Sequence, residues 1–151
     1  MQYRKSNHQI LIRIDRGEDI PTTLLSVCER ESVAGAVFTG IGACGRAVLS
    51  SYLPEENDFL DREIAGMLDL IALNGNIFME NGELREHTHA VFSCLRDGEH
   101  RVLAGHLKSA VVRYTAEILL TVTDPIRKTY DPSLGISVWD LPADENIVDT
   151  V

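Results

Sequence analysis

Residues 74–107 read Asn74-Gly75-Asn76-Ile77-Phe78-Met79-Glu80-Asn81-Gly82-Glu83-Leu84-Arg85-Glu86-His87-Thr88-His89-Ala90-Val91-Phe92-Ser93-Cys94-Leu95-Arg96-Asp97-Gly98-Glu99-His100-Arg101-Val102-Leu103-Ala104-Gly105-His106-Leu107. Two dipeptides punctuate this stretch. Asn81-Gly82 and Asp97-Gly98 are the residue pairs that tight hairpin turns favour, because both central positions of a type I′ turn need positive φ. Three strands joined by two hairpins are therefore expected. With a two-residue loop at Asp97-Gly98, Arg96 faces Glu99, and stepping outward by equal numbers of residues sets His89 opposite His106. The same stepping from Asn81-Gly82 sets Asn76 opposite His87 and Asn74 opposite His89. His87 and His89 are alternate residues of one strand, so their side chains leave the same face. Three imidazoles are thus expected to converge.

Opposed residues place their Cβ atoms ~4.5–5.5 Å apart, and alternate residues of a strand stand ~6.5 Å apart. Those spans suit three imidazole nitrogens meeting one ion at ~2.0–2.1 Å, and three protein ligands with an open fourth position is the arrangement of a catalytic zinc site. The cofactor expected is zinc or another divalent metal. Asn74 and Asn76 would orient the imidazoles from behind or bind a ligand. The alternative is that the histidines are merely hydrogen-bonded residues of the fold. The geometry depends on register, and a slip of one residue breaks it. His8 and His100 read as a strand start and a turn flank.

Outward from this region strand signals continue. In His8–Ile14, Ile10, Ile12 and Ile14 alternate with polar or outward positions. Asp19 is a suitable N-cap and Pro21 suits a first helical turn, so a helix running to about Glu31 should bury Leu24, Leu25 and Cys28. Segments 33–40, 46–53, 68–79, 86–95, 101–107, 111–123 and 134–140 read as strands, and Pro54–Arg62 as an acidic loop. One principal helix among many strands implies an α+β two-layer fold with a mainly antiparallel sheet. At 151 residues the whole chain reads as one domain, residues 1–151, large enough to bury a core.

The formal net charge of −9 opposes direct DNA binding, since affinity for phosphates comes from Lys and Arg, which are scattered here. Three cysteines, Cys28, Cys44 and Cys94, are odd in number and sit in apolar stretches, which reads as reduced thiols in the cytoplasm. No secretory leader and no apolar run of membrane-spanning length is visible, so no membrane partner is expected. Gly40-Ile41-Gly42-Ala43-Cys44-Gly45 fits the dinucleotide-binding spacing, but that fingerprint needs a helix to open at its last glycine. Arg46–Tyr52 is no better as a helix than as a strand, so a glycine-rich strand connection or close backbone approach is preferred to nucleotide binding. No nucleophile elbow or papain-like context surrounds any serine or cysteine. Glu83 and Glu86 read as solvated acids; Glu117 stands out inside an apolar strand and joins Asn74, Asn76, Gly105 and Asp69 as a candidate to support the histidines or bind a ligand.

The chain resembles the PPC domain family, the plant-and-prokaryote-conserved domain also called domain of unknown function 296, over about residues 8–125. The resemblance is carried by Arg16-Gly17-Glu18-Asp19, Gly40-Ile41-Gly42-Ala43, Leu73-Asn74-Gly75-Asn76-Ile77, His87-Thr88-His89-Ala90, Gly105-His106-Leu107 and Thr115-Ala116-Glu117. It implies a homotrimer, and for stand-alone prokaryotic members a metal site that matches His87, His89 and His106. The family label also implies a DNA-binding or regulatory protein, but the basic Arg-Gly-Arg-Pro hook of the plant members is missing from this sequence. Family members often carry Glu where this chain has Asp69. Strict register puts Asp69 on the face opposite the histidines, so it joins them only through a bulge, with Gly75 the expected place. Gly105 is the glycine of the Gly-His-Leu motif expected to need close backbone approach. Three functions stay open at this point: a metal-binding protein acting on an unidentified small molecule, a DNA-associated regulator, and a trimeric interaction module. Whether the chain is an enzyme is left open too.

Overall fold

The computed structural model describes residues 1–56 and 58–141. Of the single domain expected over 1–151, residues 57 and 142–151 lie outside the described residues. The elements in chain order are β1 (Gln2–Ser6), β2 (Gln9–Asp15), α1 (Ile20–Arg30), β3 (Ala36–Leu53), β4 (Asp58–Glu80), β5 (Glu83–Arg96), β6 (Glu99–Val122), β7 (Lys128–Asp131) and β8 (Ile136–Trp139). The main sheet runs β1-β2-β6-β3-β4-β5, with all its strand pairs antiparallel, and β5 pairs again with β6. That second pairing closes β6, β3, β4 and β5 into a ring. β7 and β8 form a separate hairpin.

The expectation of an α+β two-layer fold with a principal helix is corrected here. Among the described residues 72% are strand and 8% helix, so the molecule is mostly antiparallel sheet. The physical reason is that strands expected to be separate run on into one another. Segments 33–40 and 46–53 join as β3 through register shifts at Gly40/Gly42 and Cys44/Arg46. Segments 101–107 and 111–123 join as β6. Bulges of this kind bend a strand and increase its twist, which lets long strands curl until the sheet meets itself. The sheet then encloses much of its own core, and one 11-residue helix suffices to cover the rest.

Close approach explains the glycine-rich stretch. A Cβ on Gly42 would stand 2.7 Å from both the Ala116 Cα and the Thr115 carbonyl oxygen. These glycines therefore lie inside a strand against β6, and no helix follows them.

Asp19 starts α1 and fastens it. Its Oδ1 accepts from the Thr22 backbone N–H at 3.1 Å, satisfying a donor at the helix start. Its Oδ2 accepts from the Ser109 hydroxyl at 2.6 Å and the Ala110 N–H at 2.9 Å on β6. Ile20, Leu24, Val27 and Cys28 are buried towards the sheet, where they join Ile10, Ile12, Ile14, Leu73 and Phe92 in one core. Leu25 is only partly buried. Among the described residues no helix is long and apolar enough to cross a membrane.

Candidate metal centre

Both hairpin turns form with positive φ at each central residue: 52° and 82° at Asn81-Gly82, 54° and 81° at Asp97-Gly98. The resulting register sets Asn74 opposite His89, Asn76 opposite His87 and His89 opposite His106. Thr88, between the two β5 histidines, points inward and is buried. His87 and His89 therefore leave the outer face of the sheet.

β6 pairs with β5 only as far as His106. Beyond it β6 leaves β5 and stays with β3, where Ser50 pairs with His106 and Leu49 with Leu107, and it takes β2 as its other neighbour from Thr115 onward. The two strands fork at this point, and the imidazoles gather at the fork. Ring centroids are 4.1 Å apart for His89–His106, 5.1 Å for His87–His106 and 5.2 Å for His87–His89. One ring nitrogen from each residue lies within 4.8 Å of the others. His87 Nε2 and His106 Nδ1 are 3.1 Å apart. Two nitrogens ~2.05 Å from a tetrahedral zinc ion stand roughly 3.3 Å apart. The His87–His106 pair stands near that spacing, and the donor set fits a divalent metal in number and type.

Electrostatics favour the same chemistry. Burial pushes the His87 pKa down to about 4, helped by the Lys128 charge and by the other two imidazoles. Burial and then His89 also lower that of His106. Neutral imidazole is the form that can ligate a metal. A cavity of about 200 Å³ opens at the fork between His87 and His106, walled by Phe59, Leu107 and Glu86. Phe59 meets the His106 ring edge-on at 5.5 Å and holds it from one side. Glu86 is half-buried and accepts from the Thr88 hydroxyl. Desolvation raises its pKa, with Thr88 acting in the opposite sense.

Gly105 is paired with Ala90, and a Cβ there would stand 2.9 Å from the Ser50 carbonyl oxygen. It thus lets β6 lie close to β3 immediately before His106. Asn76 keeps a buried Oδ1 without a hydrogen-bond partner among the described residues, whereas Asn74 is exposed.

Asp69 and Glu117 are not brought to the histidines. The bulge in β4 falls at Ile71, between the pairs Leu70–Phe92 and Ala72–Val91, rather than at Gly75. It does turn Asp69 to the histidine face, but opposite Ser93. That position is four residues along β5 from His89, roughly 13 Å at strand rise. Asp69 and Glu117 instead share a cavity of about 390 Å³ with Ile41 and Thr115. A hollow of about 700 Å³ lies elsewhere again, on the outer face of β1, β2, β6 and β3. Its walls include Tyr3, Leu11, Ile41 and Leu119.

Two contributors escaped sequence reasoning. Glu86 reads as a solvated acid, yet the fork half-buries it. Lys128 comes from the β7–β8 hairpin, and its Nζ lies 3.4 Å from His87 Nδ1 and 4.1 Å from the Phe78 ring centroid. No local sequence signal links residue 128 to residue 87.

Residues 1–124 match the model of the Plants and Prokaryotes Conserved (PCC) domain. A Bacteroides thetaiotaomicron protein described as a "putative dna binding protein" is 26% identical, with a TM-score of 0.84 over 92% of this chain and 96% of its own. A plant- and prokaryote-conserved protein from Pyrococcus horikoshii is 25% identical, with a TM-score of 0.78 over 93% and 95%. A metal-containing protein from Archaeoglobus fulgidus is 26% identical, with a TM-score of 0.77 over 91% and 96%. No curated protein matches the sequence.

Proposed function

The chain belongs to the Plants and Prokaryotes Conserved domain family, and from that premise we propose that it is a divalent-metal-binding protein whose centre is His87, His89 and His106. The single observation that carries this reading is the convergence of three imidazole nitrogens within 4.8 Å of one another at a fork in the sheet. The description of the Archaeoglobus fulgidus neighbour as metal-containing supports it. Zinc is the metal that suits three neutral nitrogens and an open position best. When bound, such an ion lowers the pKa of a coordinated water towards neutrality or polarises an oxygen of a ligand. The chain's own residues hold the ion through the three imidazoles, keep His87 and His106 neutral by burial, and shield His106 with Phe59. The cavity at the fork is of a size for a small molecule, whose identity the fork does not specify.

Elemental analysis of untagged protein tests the proposal. About one equivalent of metal per chain is expected in the native protein and much less in His106→Ala. A stoichiometry near zero in native protein at neutral pH refutes it.

We further propose a homotrimer. Leu11, Val37, Ile41 and Ile71 expose 40–59% of their surfaces on the outer face of the sheet, and contiguous apolar surface of this kind marks association. In the ladder Leu11–Leu119–Thr39–Asn74–His89 that face is continuous with the metal centre. Light scattering on the native protein and on Ile41→Glu measures it, with a trimeric mass expected only for the native chain.

A second reading, DNA binding, is favoured by the description of the Bacteroides thetaiotaomicron neighbour. The net charge of −9 weighs against it, because phosphate neutralisation supplies most non-specific affinity. Salt-dependent retardation of AT-rich duplexes at low ionic strength would favour it over the metal reading alone.

A further inference from the structure

The β7–β8 hairpin lies beyond the residues that match the family model. It is nonetheless fixed against the metal centre. The Met79 N–H donates to the Ile126 carbonyl at 2.8 Å, and the Asp140 N–H donates to the Arg127 carbonyl at 2.9 Å. Lys128 follows directly, with its Nζ over the Phe78 ring and 3.4 Å from His87 Nδ1. Among the described residues no carboxylate lies within ion-pair distance of it.

An ammonium group can only donate. His87 Nδ1 facing Lys128 must therefore accept, which leaves the His87 proton on Nε2. That N–H points at His106 Nδ1, 3.1 Å away. The contacts form one directed chain, from Lys128 to His87 Nδ1 and from His87 Nε2 to His106 Nδ1. Metal-ligating histidines ordinarily show the reverse polarity, donating the outer N–H to a carboxylate, carbonyl or water. Here the outer position holds a donor, and the inward nitrogen that would ligate carries the proton.

Resting on the metal reading above, we infer that Lys128 is a positioning residue that holds His87 in the Nε2–H tautomer and so opposes metal entry until its ammonium moves aside. A metal on Nε2 requires the proton on Nδ1, where it needs an acceptor. Asn76, paired opposite His87, carries a buried and unpartnered Oδ1 on the same face. The centre thus has two hydrogen-bonding arrangements: Lys128 donating to His87 in the metal-free protein, and His87 donating outward in the loaded one. The hairpin makes affinity depend on where Lys128 rests.

Two measurements test this. Long-range ¹H–¹⁵N correlation of the metal-free protein reads the His87 tautomer, and Co²⁺ absorption titrations read affinity. The native chain and Lys128→Arg should keep the His87 proton on Nε2. Lys128→Glu, which replaces a donor by an acceptor, should move it to Nδ1. Lys128→Met should bind Co²⁺ about tenfold more tightly, of the order seen when outer partners of ligating histidines change. Lys128→Arg, which keeps the donor and the charge, should not. A native His87 protonated on Nδ1, or an unmoved proton in Lys128→Glu, overturns the inference. So does Co²⁺ affinity that is unchanged or weaker in Lys128→Met. If no chain takes up Co²⁺ the metal reading itself falls, and the tautomers of native protein and Lys128→Glu still decide the role of Lys128.

Discussion

Gly105→Ala probes how the backbone builds the centre. The added Cβ would meet the Ser50 carbonyl oxygen at 2.9 Å, about 0.5 Å inside ordinary contact. Its obstacle is backbone in a paired strand, with no flexible end to swing away, so β6 must move off β3 at the pair that carries His106. Overpacking of this kind costs about 1–3 kcal/mol. For a domain of this size each kcal/mol shifts Tm by about 2–4 °C, so a fall of several degrees is expected in thermal unfolding followed by circular dichroism. Metal affinity should weaken in the same variant, because His106 is displaced with its strand. Gly45→Ala is the matched control. Its Cβ would find only the Arg113 Cβ at 3.7 Å, ordinary contact at a glycine without positive φ. There the substitution should be neutral or stabilise by about 0.4–1 kcal/mol through the unfolded chain. Equal Tm changes in the two variants, or a rise in Gly105→Ala, would refute the reasoning.

In metal-free protein, stability should decline as pH falls from about 6.5 to about 4. Folded His87 has its pKa pushed down to about 4, so the unfolded chain takes up the proton first; the stabilisation is complete above the unfolded value and is lost as pH drops. Urea unfolding across that range should show a shallower decline in His87→Gln. Thiol titration should label none of the three cysteines in native protein and all three in denaturant. Cys28, Cys44 and Cys94 are free and buried, and burial pushes the first two thiols up to about 12, where little reactive thiolate exists.

The centre was legible in the sequence because tight turns are local chemistry. Asn81-Gly82 and Asp97-Gly98 fix φ signs within two residues, and everything from Asn74 to His106 follows by counting. Asp69 was less legible because its face depends on the Ile71 bulge, an extra residue in β4 that no glycine or turn dipeptide marks at that point. The fold class failed for a similar reason. Gly40 and Gly42 look like a strand end in sequence, but they are bends that carry β3 onward, and only the partner strand β6 distinguishes the two. β1 was hidden by its composition, since Gln2–Ser6 is a polar edge strand whose exposed positions carry no alternation. Lys128 could not be read at all: it reaches His87 through a hairpin that packs on a distant strand.

The position of the centre at the fork bears on what metal removal should do. β6 serves β3 along much of its length and β5 only up to His106, so the ladders that hold the three histidine Cα atoms run through the backbone and are complete without an ion. The core beneath them is apolar, with Phe92, Leu73 and Ala90 buried on the inner face. Small zinc domains differ, because there ligand binding supplies the folding free energy itself. In this chain the ion would act as an ordinary ligand of a folded state, stabilising by RT ln(1 + [L]/Kd), about 2.7 kcal/mol at a hundredfold excess over Kd. Chelation should therefore lower Tm by a finite amount that saturates, leaving the far-ultraviolet spectrum of a strand-rich protein intact. Collapse of that spectrum on chelation would mean that the imidazoles are a folding staple, and that the sheet does not close without them.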